Sequence, residues 1–267
     1  VSKDAVTFFS KKDGAEKMQY SSLKVWDANG KMLDAYFEKR GVVEFAIVVD
    51  DKDAVYPVTI DPLSSSPDWE FEGNNLNAKL GFSVSSAGDV NRDGYDDVII
   101  GSLNYTCSWG GEGKAFLFYG SAMGLSPYPV WTYCGTYYDD HLGQDVSSAG
   151  DVNNDGYDDI LIAHQRPNTW NNWGVYSFYG SASGLATSPN WLVNLGNGDL
   201  GRVTGAGDVN GDGFDDIIIA DGINRFLEYN GSASGIASEA NWSYNEGYPI
   251  WAWCKAIASA GDVNNDG

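Results

Sequence analysis

One acidic phrase recurs four times in 267 residues: Ala87-Gly-Asp-Val-Asn-Arg-Asp-Gly-Tyr-Asp-Asp97, Ala149-Gly-Asp-Val-Asn-Asn-Asp-Gly-Tyr-Asp-Asp159, Ala206-Gly-Asp-Val-Asn-Gly-Asp-Gly-Phe-Asp-Asp216 and Ala260-Gly-Asp-Val-Asn-Asn-Asp-Gly267. From the first Asp of each copy to the next, the steps are 62, 57 and 54 residues. A period of that length means one supersecondary unit, repeated, whose apolar faces are buried only against its neighbours. Other landmarks keep the same phase. A Trp opens each unit (Trp69, Trp131, Trp191, Trp242), and Leu-Gly precedes each complete loop (Leu80-Gly81, Leu142-Gly143, Leu200-Gly201). An apolar run follows (Val98-Ile-Ile100, Ile160-Leu-Ile162, Ile217-Ile-Ile219), then an aromatic run ending in Gly-Ser-Ala.

Each unit thus offers about four short β-branched or aromatic segments between Gly, Asn, Asp and Pro turns, and none shows a sustained 3.6-residue period. Four strands per unit at this spacing predict the blades of a β-propeller. A β-solenoid with ion-bearing turns is the competing architecture, but its repeats are far shorter. The expected fold is all-β, with three complete blades and the start of a fourth over residues 69–267.

Residues 1–62 lack the repeat. Tyr20 to Trp26, Lys31 to Glu38, Val42 to Asp50 and Ala54 to Ile60 read as strands joined by hairpin turns such as Asp27-Ala-Asn-Gly30. They predict a small antiparallel β-sheet or sandwich domain, a spacer or docking module. A Ser/Pro-rich linker over 63–68 separates it from the blades.

Charge is unevenly placed. The formal net charge is −21, of which residues 1–62 contribute only −2. Fourteen acids sit in the repeated loops. Carboxylates packed so closely repel one another by several kcal/mol per site, on the order of magnitude of Coulomb's law at short range. A bound divalent cation removes that cost, whereas acidity for solubility alone demands no fixed spacing. No basic stripe is present to meet phosphates, which argues against nucleic acid as a partner. No apolar run approaches 18 residues, so no membrane span is expected. Val1 opens the sequence with no charged-then-apolar leader, as expected of a mature or excised segment. Cys107, Cys134 and Cys254 match no zinc spacing. Cys107 and Cys134, 27 residues apart, are able to pair, and the odd count leaves at least one thiol unpaired within the chain.

Oxygen donors at positions 1, 3, 5 and 9 with Gly at 6 are the ligand set of a hard cation such as calcium. In the first loop Asp89, Asn91 and Asp93 supply side-chain oxygens, Tyr95 its carbonyl, and Asp97 closes the set. The second set is Asp151, Asn153, Asp155, Tyr157 and Asp159; the third is Asp208, Asn210, Asp212, Phe214 and Asp216. The fourth copy begins the same way with Asp262, Asn264 and Asp266. Each complete loop offers about six oxygens, within calcium's usual six to eight. Position 12 is an Ile in every complete copy, so the loops lack the closing Glu of an EF-hand. The acids at position 8, Asp96, Asp158 and Asp215, are expected to accept backbone donors or to face a neighbouring blade.

The stretch Leu80-Gly-Phe-Ser-Val to Gly101 resembles the FG-GAP repeat of integrin α-subunit propellers and of many bacterial surface proteins. The resemblance covers about residues 69–267. It implies a seven-bladed propeller with calcium in the hairpin loops of individual blades, and the ligands it implies fall on the three complete sets above. Residues 1–62, ending Tyr56-Pro-Val-Thr-Ile-Asp-Pro-Leu63, are similar to segments that precede such repeats in bacterial secreted proteins. Three blades and part of a fourth fall short of closure, and an open sheet edge invites pairing. One resolution is head-to-tail strand exchange, with Asp4-Ala-Val-Thr-Phe-Phe9 supplying the missing strand to another copy.

No convergent nucleophile, base or acid pair is legible, so no enzyme is expected. His141 and His164 fall in irregular-looking segments and read as surface or turn residues. Gly180-Ser-Ala-Ser-Gly184 recurs as a turn and is no nucleophile elbow. Trp69, Trp131, Trp191 and Trp242 recur in phase and read as blade packing. Trp109, Trp170, Trp173, Trp251 and Trp253 do not, and are the candidates for a surface site. The expected function is an extracellular or cell-surface calcium-binding module for adhesion or recognition of a protein or glycan, with calcium structural. A filament or surface-layer protomer, and a lectin or carbohydrate-active enzyme, are the alternatives.

Overall fold

A computed structural model describes residues 5–9, 16–21, 23–41, 45–60, 69–166, 172–197, 201–220, 225–245, 254 and 256–260. The described residues form strands, turns and bends, with no helix among them. The chain divides into two compact units, Val1–Asp68 and Trp69–Gly267.

Among its described residues the first unit holds three antiparallel pairs. β1 (Ala5–Phe9) pairs with β2 (Glu16–Ser21), β3 (Val25–Trp26) with β6 (Thr59–Ile60), and β4 (Ala35–Lys39) with β5 (Phe45–Val49). The expected strands shrink or shift. Lys31 to Glu38 becomes an isolated bridge at Met32 followed by β4, because the turn at 27–30 reaches further than its four residues. The buried Asp27 carboxylate accepts the N–H groups of Asn29 and Lys31, both at 2.9 Å, and that of Val55 at 3.1 Å. Ala54 to Ile60 keeps only its last two residues as strand, since Pro57 has no N–H to offer a ladder. Residues 5–9, the segment that strand exchange would lend to another copy, pair antiparallel with 16–21 of their own chain, with a register shift between Phe8 and Phe9.

The second unit contains three four-stranded antiparallel meanders. The first blade is β7 (Leu80–Gly88), β8 (Asp97–Ser102), β9 (Lys114–Phe118) and β10 (Trp131–Cys134). The second is β11 (Asp145–Gly150), β12 (Asp159–Arg166), β13 (Asn172–Phe178) and β14 (Trp191–Asn197). The third is β15 (Arg202–Gly207), β16 (Asp216–Ala220), β17 (Arg225–Tyr229) and β18 (Trp242–Asn245). The three sheets do not close into a ring. The second strands are unbroken apolar runs because both of their faces are covered. Ile160 and Ile162 join Ile99 and Leu117 in the core between blades one and two. Leu161 and Ala163, pointing the other way, join Ile217 and Ile219 between blades two and three.

The repeated Trp opens the sequence unit yet begins the fourth strand of the sheet, so unit and blade are offset by one strand. That offset staples blades together. Trp131 stands edge-on to Phe178 at 5.0 Å and donates its indole N–H to the Ala186 carbonyl at 2.9 Å, both in blade two. Trp191 does the same with Tyr229 at 5.3 Å and Ala237 at 2.9 Å in blade three. Trp69, in no described ladder, occupies this position on blade one, edge-on to Phe118 at 4.9 Å and bonded to Ser126 at 2.8 Å. Trp242 is 54% exposed.

Trp173 and His164 lie in the core, and not at the surface that their positions in the sequence suggest. Trp173 is fully buried on the blade-three side of β13, where Gly201 makes room: a Cβ there would lie 2.2 Å from the ring. His164 lies inside β12, buried, stacked on Tyr176 at 4.5 Å and 3.3 Å from the buried Asp140 carboxylate. His141 does lie in the irregular connection between β10 and β11. Trp109 is 73% exposed, and Trp170, Trp251 and Trp253 lie outside the described residues.

Candidate metal centre

Each acidic loop joins the first and second strands of a blade. It starts at a bulge, where Ser86/Gly88, Ser148/Gly150 and Gly205/Gly207 break the register. Positive φ at these glycines (72°, 72° and 76°) turns the chain out of the ladder, a conformation a side chain resists. Six residues on, Gly94, Gly156 and Gly213 at φ of 91°, 88° and 90° swing the loop back.

Between these pivots the oxygens turn inward on the loop's own amides. Asp89 accepts Asp93 N–H through Oδ1 (2.9 Å) and Gly94 N–H through Oδ2 (2.8 Å). Asn91 Oδ1 also accepts Asp93 N–H (3.0 Å), and Asp93 Oδ1 accepts Tyr95 N–H (3.1 Å). Asp151, Asn153 and Asp155 reproduce these bonds to Asp155, Gly156 and Tyr157. Asp208, Asn210 and Asp212 reproduce them to Asp212, Gly213 and Phe214, with Gly211 N–H as an added donor to Asp208. The fourth copy, Asp262, Asn264 and Asp266, lies outside the described residues.

The position-nine acid is set apart. Asp97, Asp159 and Asp216 are fully buried at the head of each second strand. Asp97 accepts Val90 N–H at 3.1 Å and Gly120 N–H at 2.9 Å. Asp159 does so from Val152 and Gly180, and Asp216 from Val209 and Gly231. Burial pushes the Asp97 carboxyl up to about 6; the two backbone donors pull against it, and the charges of Asp93 and Asp89 add to the rise. Burial pushes Asp159 further, to about 8, with Asp155 and Asp151 adding. Asp216 is raised by the same causes. Asp208 is lowered, chiefly by the Gly213 N–H.

Among the described residues no three His, Cys, Asp or Glu side chains converge as a ready-made metal cage. The donor chemistry nevertheless fits a hard cation. Each loop holds only oxygen donors at positions 1, 3, 5 and 9, and crowds acids that raise one another's proton affinity. Two of the three position-eight acids face neighbouring blades: Asp158 accepts Asp89 N–H, and Asp215 accepts Asp151 N–H, while Asp96 is exposed.

At the opposite end of blade one the chain builds a different feature, which no motif announces. Cys107 and Cys134 are joined by a disulfide across the 103–113 loop and the end of β10. The buried Glu112 carboxylate accepts N–H groups from Cys107 (3.2 Å), Ser108 (2.8 Å), Trp109 and Gly110 (2.8 Å). Burial alone would raise this acid, but the backbone donors led by Trp109 hold it at about 2. The loop is thereby fixed against the 135–141 connection, with Asp139 and His141 donating N–H to Gly110 and Gly111. Trp109, Tyr137 and Tyr138 stand exposed there.

Side-by-side four-stranded antiparallel meanders, each with an acidic loop between its first two strands, define an all-β repeat protein of propeller-type blades. The FG-GAP repeat profile matches residues 80–118, and the FG-GAP-like repeat profile matches 151–219. Relatives include integrin alpha-6 of Gallus gallus, 32% identical over 46% of this chain and 11% of the relative, and integrin alpha-5 of Xenopus laevis, 29% identical over 61% and 17%. Integrin alpha-6 of Homo sapiens is 30% identical over 51% and 13%. Residues 80–118 and 151–219 are thus FG-GAP-type repeats, and the blades are similar to parts of integrin alpha subunits. The chain spans less than a fifth of the length of these relatives.

Proposed function

We propose that the blades form a calcium-stabilised module for adhesion or recognition outside the cell, without catalysis of its own. The observation that carries this reading is the threefold repetition, bond for bond, of one hard-oxygen loop on successive blades. Asp89, Asn91, Asp93, the Tyr95 carbonyl and Asp97 would hold the first ion. Asp151, Asn153, Asp155, Tyr157 and Asp159 would hold the second, and Asp208, Asn210, Asp212, Phe214 and Asp216 the third. The fourth loop would begin another set with Asp262, Asn264 and Asp266. The ion would supply positive charge to carboxylates that otherwise oppose one another. Residues 1–62 would serve as a docking or spacer domain, joined by the 63–68 linker. An extracellular setting agrees with the disulfide and with the integrin relatives.

Calcium that binds the folded loops and not the unfolded chain raises stability by mass action, about 2.7 kcal/mol per site at a hundredfold excess over Kd. Thermal melts at pH 7.5 in calcium and in excess chelator test this. The midpoint should fall by several degrees on chelation; coincident transitions would overturn the reading.

A glycan ligand is favoured by the exposed Trp109, Tyr137 and Tyr138 on a loop end locked by Glu112 and the disulfide. Flat, rigid aromatic faces stack on sugar rings with little entropy lost on binding. Screening against a glycan array with the Trp109→Ala variant alongside decides it: binding lost in the variant supports the assignment, and a blank array for both removes it.

A further inference from the structure

Asp158 belongs to the second acidic loop, yet it grips the first. Its Oδ2 accepts the Asp89 N–H at 2.7 Å, and its own N–H is donated to the Asp89 carbonyl at 3.2 Å. Asp215 of the third loop holds Asp151 of the second in the same way, at 2.8 and 3.2 Å. In each case the position-eight residue of one blade ties down both backbone groups of the position-one residue in the blade before it. The slot for the carboxylate exists because the preceding residue is Gly: a Cβ at Gly88 would lie 2.2 Å from Asp158 Oδ2, and one at Gly150 would lie 2.1 Å from Asp215 Oδ2. The repeat carries its own control. Asp96, the position-eight acid of the first loop, is exposed.

We propose that Asp158 and Asp215 are positioning residues that couple the cation loops of adjacent blades. The proposal rests on the calcium reading above. Asp89 and Asp151 are first ligands, and each side chain departs from a backbone fixed by the following blade. Asp158 and Asp215 in turn neighbour Asp159 and Asp216, ligands of their own loops. An ion that orders loop two therefore holds Asp158 in place and stiffens loop one. By linkage, an ion in loop one strengthens binding in loop two by the same factor. The chain of couplings runs from loop one to two to three through these two carboxylates.

Calcium titration of the whole 267-residue chain by calorimetry, with melts in calcium and in chelator, tests the coupling against its own premise. Asp158→Ala and Asp215→Ala should each weaken one site by about tenfold, within the usual range of coupling between sites, and flatten the cooperativity of uptake. Asp96→Ala removes the same charge from the same motif position and should leave every Kd within about twofold, because it grips no preceding loop. Asp158→Asn keeps an acceptor oxygen and should recover most of the affinity lost in Asp158→Ala; if that Ala variant does not fold, Asp215→Ala is compared with Asp96→Ala instead and must still be the weaker binder. If Asp158→Ala and Asp215→Ala bind calcium as Asp96→Ala does, the coupling is wrong while the calcium reading stands. If the parent chain takes up no calcium, both fall together.

Discussion

At Glu112 one buried carboxylate accepts four backbone N–H groups, and its low proton affinity follows from those bonds. An acid whose folded value is depressed contributes stability above its unfolded value, near 4.3, and loses it as pH falls toward its folded value of about 2. Melting midpoints should therefore drop between about pH 4.5 and 2 in the parent chain. Glu112→Gln should begin about 2 kcal/mol lower at pH 7, the scale of hydrogen bonds to a charged group, and show a shallower decline over that window. Gly88 poses a steric question at the same scale. Gly88→Ala adds both a left-handed strain and a clash with Asp158, whereas Gly124→Ala, at a φ of 96° with open space around its Cβ position, adds the strain alone. The second should cost about 1 kcal/mol and the first clearly more, read from paired denaturant midpoints.

Among elements, the fourth strands add a tryptophan contact to the apolar packing between blades. Trp131 combines an edge-on ring contact, a stacked neighbour in Tyr133 at 6.1 Å and an indole bond into blade two. Trp131→Ala should cost about 3 to 5 kcal/mol, as removal of a large packed aromatic does. Trp242→Ala, at an equivalent position that is half exposed, should cost under about 1 kcal/mol. The comparison needs only urea denaturation of the two variants. The disulfide acts on the loop between the second and third strands and the end of the fourth: Cys134→Ser opens a 27-residue closure, and the loss expected from chain entropy is about 3 kcal/mol.

Across the whole molecule, the blade unit behaves as a one-dimensional stack, each sheet buried against the next by clusters on both faces of the middle blade. Stability in such a stack is shared between neighbours, so calcium loss at one loop should propagate to the adjoining blade. Limited proteolysis in chelator, followed by mass analysis, should show cuts appearing first in the acidic loops. Protection unchanged by chelator would contradict a structural ion.

The repeat phrase determined the architecture before any coordinates: its spacing demanded stacked four-stranded units, and alternating acids around a glycine demanded an inward-turned loop. Those properties are local, set by periodicity and backbone sterics within about ten residues. Tertiary structure decided what depends on neighbours distant in sequence. It put Trp173 in the core because Gly201 makes room, made His164 a strand residue beside Asp140, and turned Asp158 and Asp215 into clasps on the loops before them. It also moved Trp131 and Trp191 onto the outer strands of their blades, where the partner is the next sheet. Those outcomes arise from contacts about 24 to 69 residues apart along the chain, beyond the reach of local periodicity.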